Sequence, residues 1–320
     1  MLSLSTLRHF GLTRKGTFNS DITEMYAAEI RAAIEANQMV AVAAPFGQGK
    51  TELVRTVLRT LAASGTPLDI VEVHDPLRER QTVAVVMNAV IFELGDSNPR
   101  RDAEARARQF VRLVGQRVVS EKRRVCIVIE NAHRLHPNTL MAIKDIRERA
   151  FAGVSPLFSV VLVGQPPLVD RLERYHEVLY RTTVVQLDPA AGWMSTEERV
   201  GYLDAVYGDA LTPGARARIA LLAQGPLALD FTVEEAMRRA RRMGYDRLDD
   251  RTVMPSVHEL YEASQLTQGQ AEKLTGIPKS TISDILRQGD AHSRAAELRD
   301  RLAALATSGD GSTGLPALNA

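Results

Sequence analysis

The amino-acid sequence predicts an α/β fold: a parallel, doubly wound sheet, followed by a small helical lid and a C-terminal helix-turn-helix unit. Short apolar runs alternate with helical patterns as far as residue 190, which is typical of a parallel sheet. Purely helical periodicity follows between residues 195 and 243. A glycine-containing loop at residues 44–51 joins the first apolar run to a helical pattern. These observations define the architecture and direct attention to that loop.

The loop reads Ala-Pro-Phe-Gly-Gln-Gly-Lys-Thr and predicts a phosphate-binding loop, because it stands between a strand and a helix. Its amides and the helix N-terminus would surround phosphate oxygens. Lys50 would reach the β- and γ-phosphates of ATP, and the Thr51 hydroxyl would hold Mg²⁺. Ala44 replaces the first glycine of the pattern, and a chance glycine turn is the alternative interpretation. The predicted nucleotide-contacting residues are Pro45, Phe46, Gly47, Gln48, Gly49, Lys50, Thr51 and Glu52.

Composition limits the possible functions. Apolar residues make up 45% of the 320 residues, which is enough for a large core. The formal net charge of +1 indicates that any nucleic-acid surface must be local. Cys126 is the single cysteine, so no disulfide can form within the chain. No apolar run approaches the ~20 residues that cross a bilayer, which predicts a soluble, cytoplasmic protein without a membrane partner.

Two further strand ends carry candidate site residues. The third predicted strand, at residues 124–129, is followed by Glu130, and an acidic residue there lies near the Mg²⁺ of phosphate-loop enzymes. The fourth, at residues 158–163, is followed by Gly164 and Gln165. The predicted domains are an N-terminal arm (1–22), a nucleotide-binding core (23–190), a helical lid (191–252), a helix-turn-helix unit (253–290), and a terminal helix with a disordered tail (291–320).

The C-terminal unit predicts two short helices joined by a turn at Gly276, a helix-turn-helix whose second helix would enter a DNA major groove. The candidate DNA-binding residues at the start of that helix are Lys279, Ser280, Thr281 and Ser283. Glu272 stands where a small residue normally lets the helices approach. The unit is nearly neutral, which predicts weak DNA binding on its own. A helical module that docks protein is the alternative.

The chain resembles an AAA+ ATPase in the order of four features. These are the phosphate loop, the acidic strand end at 130–133, the Val-Gly-Gln-Pro strand end at 163–166 and the helical lid. More narrowly, residues 7–245 resemble the branch that contains the phage Mu B protein and related transposon-encoded target-selection ATPases, together with the ExeA-type secretion ATPases. A Phe-Gly-Leu sequence at 10–12, upstream of the loop, is a further mark. The membrane helix and envelope domain of the secretion relatives are not found, whereas Mu B-like proteins add a helix-turn-helix.

The resemblance implies roles for catalytic residues. Glu130 stands where the family usually has the Asp that organises Mg²⁺, and Asn131 where it has the catalytic Glu. Gln165 matches the sensor near the γ-phosphate, and Arg181 matches the arginine that such ATPases insert into a neighbour's site. For Arg181, a surface pair with Glu177 is the alternative. Leu227 replaces the expected lid arginine. An amide at 131 cannot accept a proton, so we expect tight ATP binding with slow or partner-dependent hydrolysis.

The resemblance therefore implies an ATP- and Mg²⁺-dependent protein that self-assembles on duplex DNA into a ring or helical filament. It would regulate transposition by selecting target DNA and recruiting or activating a transposase. One alternative is a nucleotide-switched, sequence-specific regulator of transcription or replication that reads DNA with the helix-turn-helix. Another is a mobile-element or defence signalling ATPase without a DNA role.

Overall fold

The computed structural model describes residues 9–10, 12, 18–65, 67–73, 82–242, 244–249, 253, 257–288 and 292–307. Three predicted features lie wholly or partly outside these ranges. They are most of the N-terminal arm, part of the Phe-Gly-Leu sequence at 10–12, and the tail from residue 308. The chain divides into two compact units. One consists of Phe18–Tyr202 with Gly225–Ala228, and the other takes in Leu203–Gln224 and the described residues from Leu229 onward.

The first unit contains the alternating strands and helices that the sequence predicts. In chain order they are α1 (Asp21–Glu35), β1 (Met39–Ala43), α2 (Lys50–Ala63), β2 (Leu68–Val73), α3 (Val83–Glu93), α4 (Ala103–Gly115), β3 (Arg124–Ile129), α5 (Pro137–Arg147), β4 (Ser159–Gly164), α6 (Pro167–Glu173), α7 (His176–Leu179) and β5 (Thr182–Gln186). Helix α4 continues into a π-helical segment, Gln116–Ser120, a change of hydrogen bonding that apolar periodicity does not reveal.

The five strands form one parallel sheet in the order β2-β3-β4-β1-β5, which confirms the predicted sheet. Every residue of β1 and β4 is buried, as expected for strands covered by helices on both faces. Because β4 lies between β1 and β3, the loops that leave the carboxyl ends of these three strands meet at one edge. That edge carries the candidate site.

Aromatic and aliphatic side chains pack the larger core on one face of the sheet. Phe110 of α4 and Phe158, directly before β4, meet edge to face with ring centroids 5.4 Å apart. Cys126 of β3 is fully buried, and burial raises the pKa of its thiol to about 11. This cysteine therefore belongs to the core.

The second unit is helical. Helix α8 (Thr196–Tyr207) leads into it along the chain, and the following elements are α9 (Pro213–Leu222), α10 (Pro226–Arg242), α11 (Val257–Ser264), α12 (Gln268–Thr275), α13 (Lys279–Gln288) and α14 (Ala295–Thr307). At the start of α8 the Ser195 hydroxyl accepts from the Glu198 amide, and the Glu198 carboxylate accepts from the Met194 amide rather than from that of Ser195. The cap is thus only half of a reciprocal capping box.

Helices α11 to α14 share an apolar core of their own. It contains Ile282 and Ile285 of α13 together with Leu298 and Leu302 of α14. The core therefore joins residues on both sides of position 290, where the sequence suggested a boundary. Helix α12 begins with a capping box between Thr267 and Gln270.

A close contact in the first unit provides a test of the packing. A Cβ atom at Gly115, the last residue of α4, would lie 2.2 Å from Cγ of Phe151. We expect Gly115→Ala to lower the free energy of unfolding by about 1–3 kcal/mol, because the ring must move within packed surroundings. The control is Gly269→Ala in α12, where an added Cβ meets nothing within 4 Å. Denaturant titration should find this control neutral or slightly stabilised, and equal effects of the two substitutions would contradict the packing.

Candidate functional site

The phosphate loop curls as its two glycines allow. Gly47 and Gly49 have φ angles of 80° and 84°, in the left-handed region that side chains disfavour. Gly49 is the N-cap of α2, so the first amides of that helix face the loop. Ala44 does not adopt a positive φ, and its amide donates to the Gly164 carbonyl at 3.2 Å. An alanine is therefore compatible with the first position of this loop.

Lys50 and Thr51 lie at the point where the loop becomes α2. The Lys50 ammonium donates to the carbonyls of Ala44 at 2.9 Å and Pro45 at 2.8 Å. Burial lowers the pKa of Lys50, and the charge of Glu130 opposes that shift. The Thr51 hydroxyl donates to a Glu130 carboxylate oxygen at 3.3 Å. A hydroxyl and a carboxylate are the oxygen ligands that suit Mg²⁺ in nucleotide sites, so this pair fits the metal.

The acidic strand end turns sharply after Glu130. Asn131 has a left-handed backbone, with φ 54° and ψ 33°, and a 3-10 turn over Ala132–Arg134 follows it. Asparagine tolerates this conformation better than most residues because its short amide can bond locally. Its side chain is exposed. The residue that departs from the family pattern therefore suits the local backbone.

His133 links this turn to the end of β4. Its Nδ1 accepts a hydrogen bond from the Gln165 amide at 3.3 Å. The pKa of His133 is lowered, first by burial and then by the charges of Arg134, Lys50 and Arg171. A neutral ring that accepts at Nδ1 carries its proton on Nε2, so His133 cannot replace the missing carboxylate at 131 as a base through that occupied nitrogen. The sequence analysis included His133 only as the last residue of the acidic strand end and did not predict this contact.

A glycine also makes this contact possible. A Cβ atom at Gly164 would lie 3.2 Å from the His133 backbone nitrogen and 2.8 Å from Leu168 Cδ2. The Val-Gly-Gln-Pro pattern therefore reflects close packing between the end of β4 and the acidic turn.

The four residues Gly225–Ala228, at the start of α10, contact the phosphate loop. The Leu227 amide donates to the Gly47 carbonyl at 3.2 Å, and Pro226 Cγ would lie 3.6 Å from a Cβ at Gly49. Gln48 is buried, with 6% of its surface exposed, and its Oε1 atom has no hydrogen-bond partner within the described ranges. Gly225, at φ 90°, has no space for a Cβ because Gln48 Nε2 would lie 2.6 Å away. Leu227 thus contacts the loop through its backbone amide, and its side chain also lies against Gly47, where an added Cβ would come 3.1 Å from Leu227 Cβ.

Three predicted nucleotide contacts face solvent. Pro45 is exposed, and the Phe46 side chain is 79% exposed. The Glu52 carboxylate pairs with Arg59, about two turns further along α2. These residues stay predictions, whereas Lys50, Thr51, Glu130 and Gln165 meet at the carboxyl edge of the sheet.

Arg181 lies at the amino ends of the strands, opposite the carboxyl edge that carries the phosphate loop. It precedes β5, and Met39 at the start of β1 is in register with Thr182. A strand of five residues, at about 3.3 Å each, therefore separates Arg181 from the phosphate loop by roughly 16 Å. Its guanidinium pairs with the Glu148 carboxylate and donates to the Glu177 carbonyl at 2.9 Å. The Glu177 carboxylate itself pairs with Lys144, so the sequence-based alternative identified the wrong acidic partner for Arg181.

In the second unit, α12 and α13 are joined by a turn in which Gly276 has φ 68°. Lys279, Ser280 and Ser283 are exposed and Thr281 is half-buried, as expected for one solvent face of α13. Glu272 is exposed, and Ala271 beside it occupies the buried position of α12. The helices thus avoid burying the glutamate.

Residues 33–172 match the family model described as AAA domain. Together with the sheet order and the phosphate loop, this match establishes the fold of an AAA+ P-loop nucleoside triphosphatase. A search of curated proteins finds no match. In the described part of the chain, no helix has both the length and the apolar character to span a membrane.

Solved structures with the same fold include Cdc6p from Pyrobaculum aerophilum, with 14% identity and a TM-score of 0.56 over 87% of this chain and 75% of that one. The Aeropyrum pernix ORC2 protein in ADPNP–ADP complexes has 14% identity and a TM-score of 0.54 over 86% and 78%. The Aeropyrum pernix ORC1 protein in complex with DNA has 18% identity and a TM-score of 0.51 over 89% and 77%. At these identities the likeness is one of fold, and the narrower resemblance to the Mu B group stays a prediction.

The contact between Gly225 and Gln48 can be tested with a matched pair. We expect Gly225→Ala to weaken ATP binding several-fold, because the new Cβ displaces Gln48 from the loop. Gly65→Ala is the control: it has a similar φ of 80°, and nothing lies within 4 Å of an added Cβ. Both variants should lose roughly 1–2 kcal/mol of stability from backbone strain. Calorimetric titration with ATP should separate them, and equal affinities would contradict the contact.

His133 predicts a pH effect on turnover. Because the pKa of His133 is lowered, the ring stays neutral above its ordinary value of about 6.5. Turnover should fall once the pH drops through the lowered pKa, since a proton on Nδ1 removes the acceptor for the Gln165 amide. His133→Ala should reduce kcat more than it changes KM.

His133→Asn is the matched variant for that experiment, because its amide oxygen can accept the same hydrogen bond without titrating. It should recover much of kcat and lose the decline at acid pH. If the alanine and asparagine variants behave alike, His133 does not act through this bond.

Proposed function

We propose that this protein is an ATP-dependent, DNA-binding AAA+ protein that assembles on duplex DNA and regulates transposition, by selecting target DNA and recruiting or activating a transposase. The observation that carries the nucleotide part is the meeting of Lys50, Thr51, Glu130 and Gln165 at one edge of the sheet. The proposed organisation is the predicted one: arm, core, lid, helix-turn-helix unit and terminal segment.

In the nucleotide site, Lys50 would exchange its bonds to the loop carbonyls for bonds to the β- and γ-phosphates. Thr51 and Glu130 would hold Mg²⁺, which supplies charge neutralisation at the phosphates when it is bound. Gln165 would meet the γ-phosphate, with its backbone held by His133. These roles use polar groups that face one another within the first unit.

Hydrolysis would be slow because no carboxylate stands at position 131. Asn131 can orient a water molecule but cannot accept its proton. The protein would therefore remain in the ATP-bound state until a partner completes the site. Such a state suits a protein that marks DNA and then responds to a transposase.

Assembly would complete the site across subunits. Arg181 lies about one strand length from its own phosphate loop, so it can serve a nucleotide only in a neighbouring copy. Its exposed side chain and its position at the opposite sheet edge support head-to-tail contacts between copies. ATP would stabilise those contacts by binding both Lys50 and the neighbour's Arg181.

The support for DNA as the partner comes from two sources. Lys279, Ser280, Thr281 and Ser283 form a polar face at the start of α13, after a turn of helix-turn-helix type. One protein of the same fold, the Aeropyrum pernix ORC1 protein, is described in complex with DNA. Many weak contacts along a filament would add through avidity.

The transposition role rests on the sequence resemblance to the Mu B group. A nucleotide-switched regulator of transcription or replication is the second candidate, and the fold shared with Cdc6p and ORC proteins favours it. The two differ in DNA preference: a target selector binds DNA of any sequence, whereas a regulator binds a preferred site.

The missing base predicts slow turnover. We expect purified protein to hydrolyse ATP slowly without DNA and to speed up with DNA or a partner. Asn131→Glu should raise the basal rate if only the base is missing, although glutamate in a left-handed backbone will lower stability by roughly 1 kcal/mol. Phosphate release assays with a thermal melt of each variant check both effects. Brisk, DNA-independent turnover of the wild type would refute slow hydrolysis.

Electron microscopy of the protein with duplex DNA and a non-hydrolysable ATP analogue tests assembly. We expect rings or filaments that require both the nucleotide and DNA, and that Arg181→Ala abolishes. Competition between unrelated duplexes should find similar affinities. One strongly preferred duplex would favour the sequence-specific regulator, and no DNA binding at all would remove both candidates.

A further inference from the structure

We propose that a cluster of arginines on the first unit, here named the arginine surface, binds the phosphates of duplex DNA. It consists of Arg100 and Arg101 in the loop before α4, Arg108 and Arg112 on α4, and Arg149 after α5. The proposal rests on the DNA part of the proposed function and identifies where most of the electrostatic attraction arises. That part otherwise depends on the nearly neutral helix-turn-helix unit.

The loop that carries Arg100 and Arg101 is held in place by a buried glutamine. Gln109 of α4 is 6% exposed. Its amide nitrogen donates to Asp96 Oδ2 at 2.7 Å and to the Asn98 carbonyl at 3.0 Å, while its oxygen accepts from the Arg100 amide at 2.9 Å. Three hydrogen bonds to one buried side chain fix the loop backbone, so the two arginine side chains emerge from defined positions.

The acidic residues of this region already accept hydrogen bonds or form ion pairs within the protein. Asp96 accepts from the Asn98 amide and from Gln109, and these bonds lower its pKa. Asp102 is the N-cap of α4 and accepts from the Ala105 amide at 2.8 Å. The Glu104 carboxylate forms ion pairs with two arginines, Arg149 at 3.2 Å and Arg108 at 3.7 Å. The charges of Arg112 and Arg100 also act on Asp96. The five arginines of the surface outnumber these three carboxylates, so positive charge remains.

Arg100, Arg101 and Arg112 are exposed and form no ion pair within 4 Å in the described part of the chain. Arg108 and Arg112 are four residues apart on α4, so their side chains lie along the same face one turn apart. Guanidinium groups bind phosphate oxygens through two parallel hydrogen bonds, which makes arginine well suited to a nucleic-acid backbone.

The helix-turn-helix unit offers less charge. Lys279 and Arg287 lie at opposite ends of α13, Arg287 pairs with Asp284 at 2.7 Å, and Glu272 is exposed on α12. Since counterion release at phosphates dominates DNA affinity, the arginine surface would supply the affinity and α13 would add local contacts.

The test compares two double variants with the same loss of charge. Arg101→Gln with Arg112→Gln removes two exposed arginines of the surface. The control, Arg55→Gln with Arg174→Gln, removes two exposed arginines elsewhere on the first unit. Fluorescence anisotropy with a labelled duplex and a non-hydrolysable ATP analogue, at several salt concentrations, gives the affinity and its salt dependence for each protein. ATP binding in all three proteins checks that the fold is intact.

The surface variant should bind at least tenfold more weakly, and its slope of log affinity against log salt should decrease by about two, one for each lost phosphate contact. The control should match the wild type. An unchanged slope in the surface variant, or an equal loss in the control, would overturn the assignment while leaving DNA binding intact. Loss of self-assembly without DNA would also overturn it, since the surface would then be a contact between copies. A wild type that does not bind DNA would instead refute the DNA part of the proposed function, and this inference with it.

Discussion

The left-handed turn of the backbone at Gly47 and Gly49 is the constraint on which the site depends. It ends β1, begins α2 at Lys50, and turns the first amides of that helix toward the loop. It also sets the position of Thr51, which lies within hydrogen-bond reach of Glu130 on β3. A strand that is not a neighbour of β1 thereby contributes to the same site. The parallel sheet serves chiefly to bring these loops to one edge.

The sequence was informative wherever local chemistry decides the structure. Apolar runs identified the five strands, because strands buried on both faces have few polar residues. The glycine loop identified the nucleotide edge, because it stands between a strand and a helix. Ala44 was expected to strain the loop, but this position does not need a positive φ. The spacing of glycines alone cannot tell which of them the backbone requires.

Contacts between distant segments were not accessible from the sequence. His133 accepting from the Gln165 amide depends on β3 and β4 being neighbours, and Arg181 pairing with Glu148 depends on the packing of α5 beside α7. The contact of Gly225 with Gln48 joins residues far apart in the chain. Each contact is set by tertiary geometry that periodicity does not encode, and unusual residues at these positions are the only signal in the sequence. At position 227, both the backbone amide and the leucine side chain lie against Gly47 of the loop.

The central claim is that Lys50 binds the phosphates of a nucleotide and that the bound nucleotide joins copies of the chain. The most direct measurement compares the wild type with Lys50→Ala, using calorimetric titration with Mg²⁺-ATP and light scattering for assembly, and Lys122→Ala as an exposed-lysine control. The account predicts that Lys50→Ala folds normally but loses on the order of a hundredfold or more in ATP affinity, as expected for a desolvated charge pair, together with ATP-dependent assembly. Unchanged affinity and assembly in that variant would contradict it.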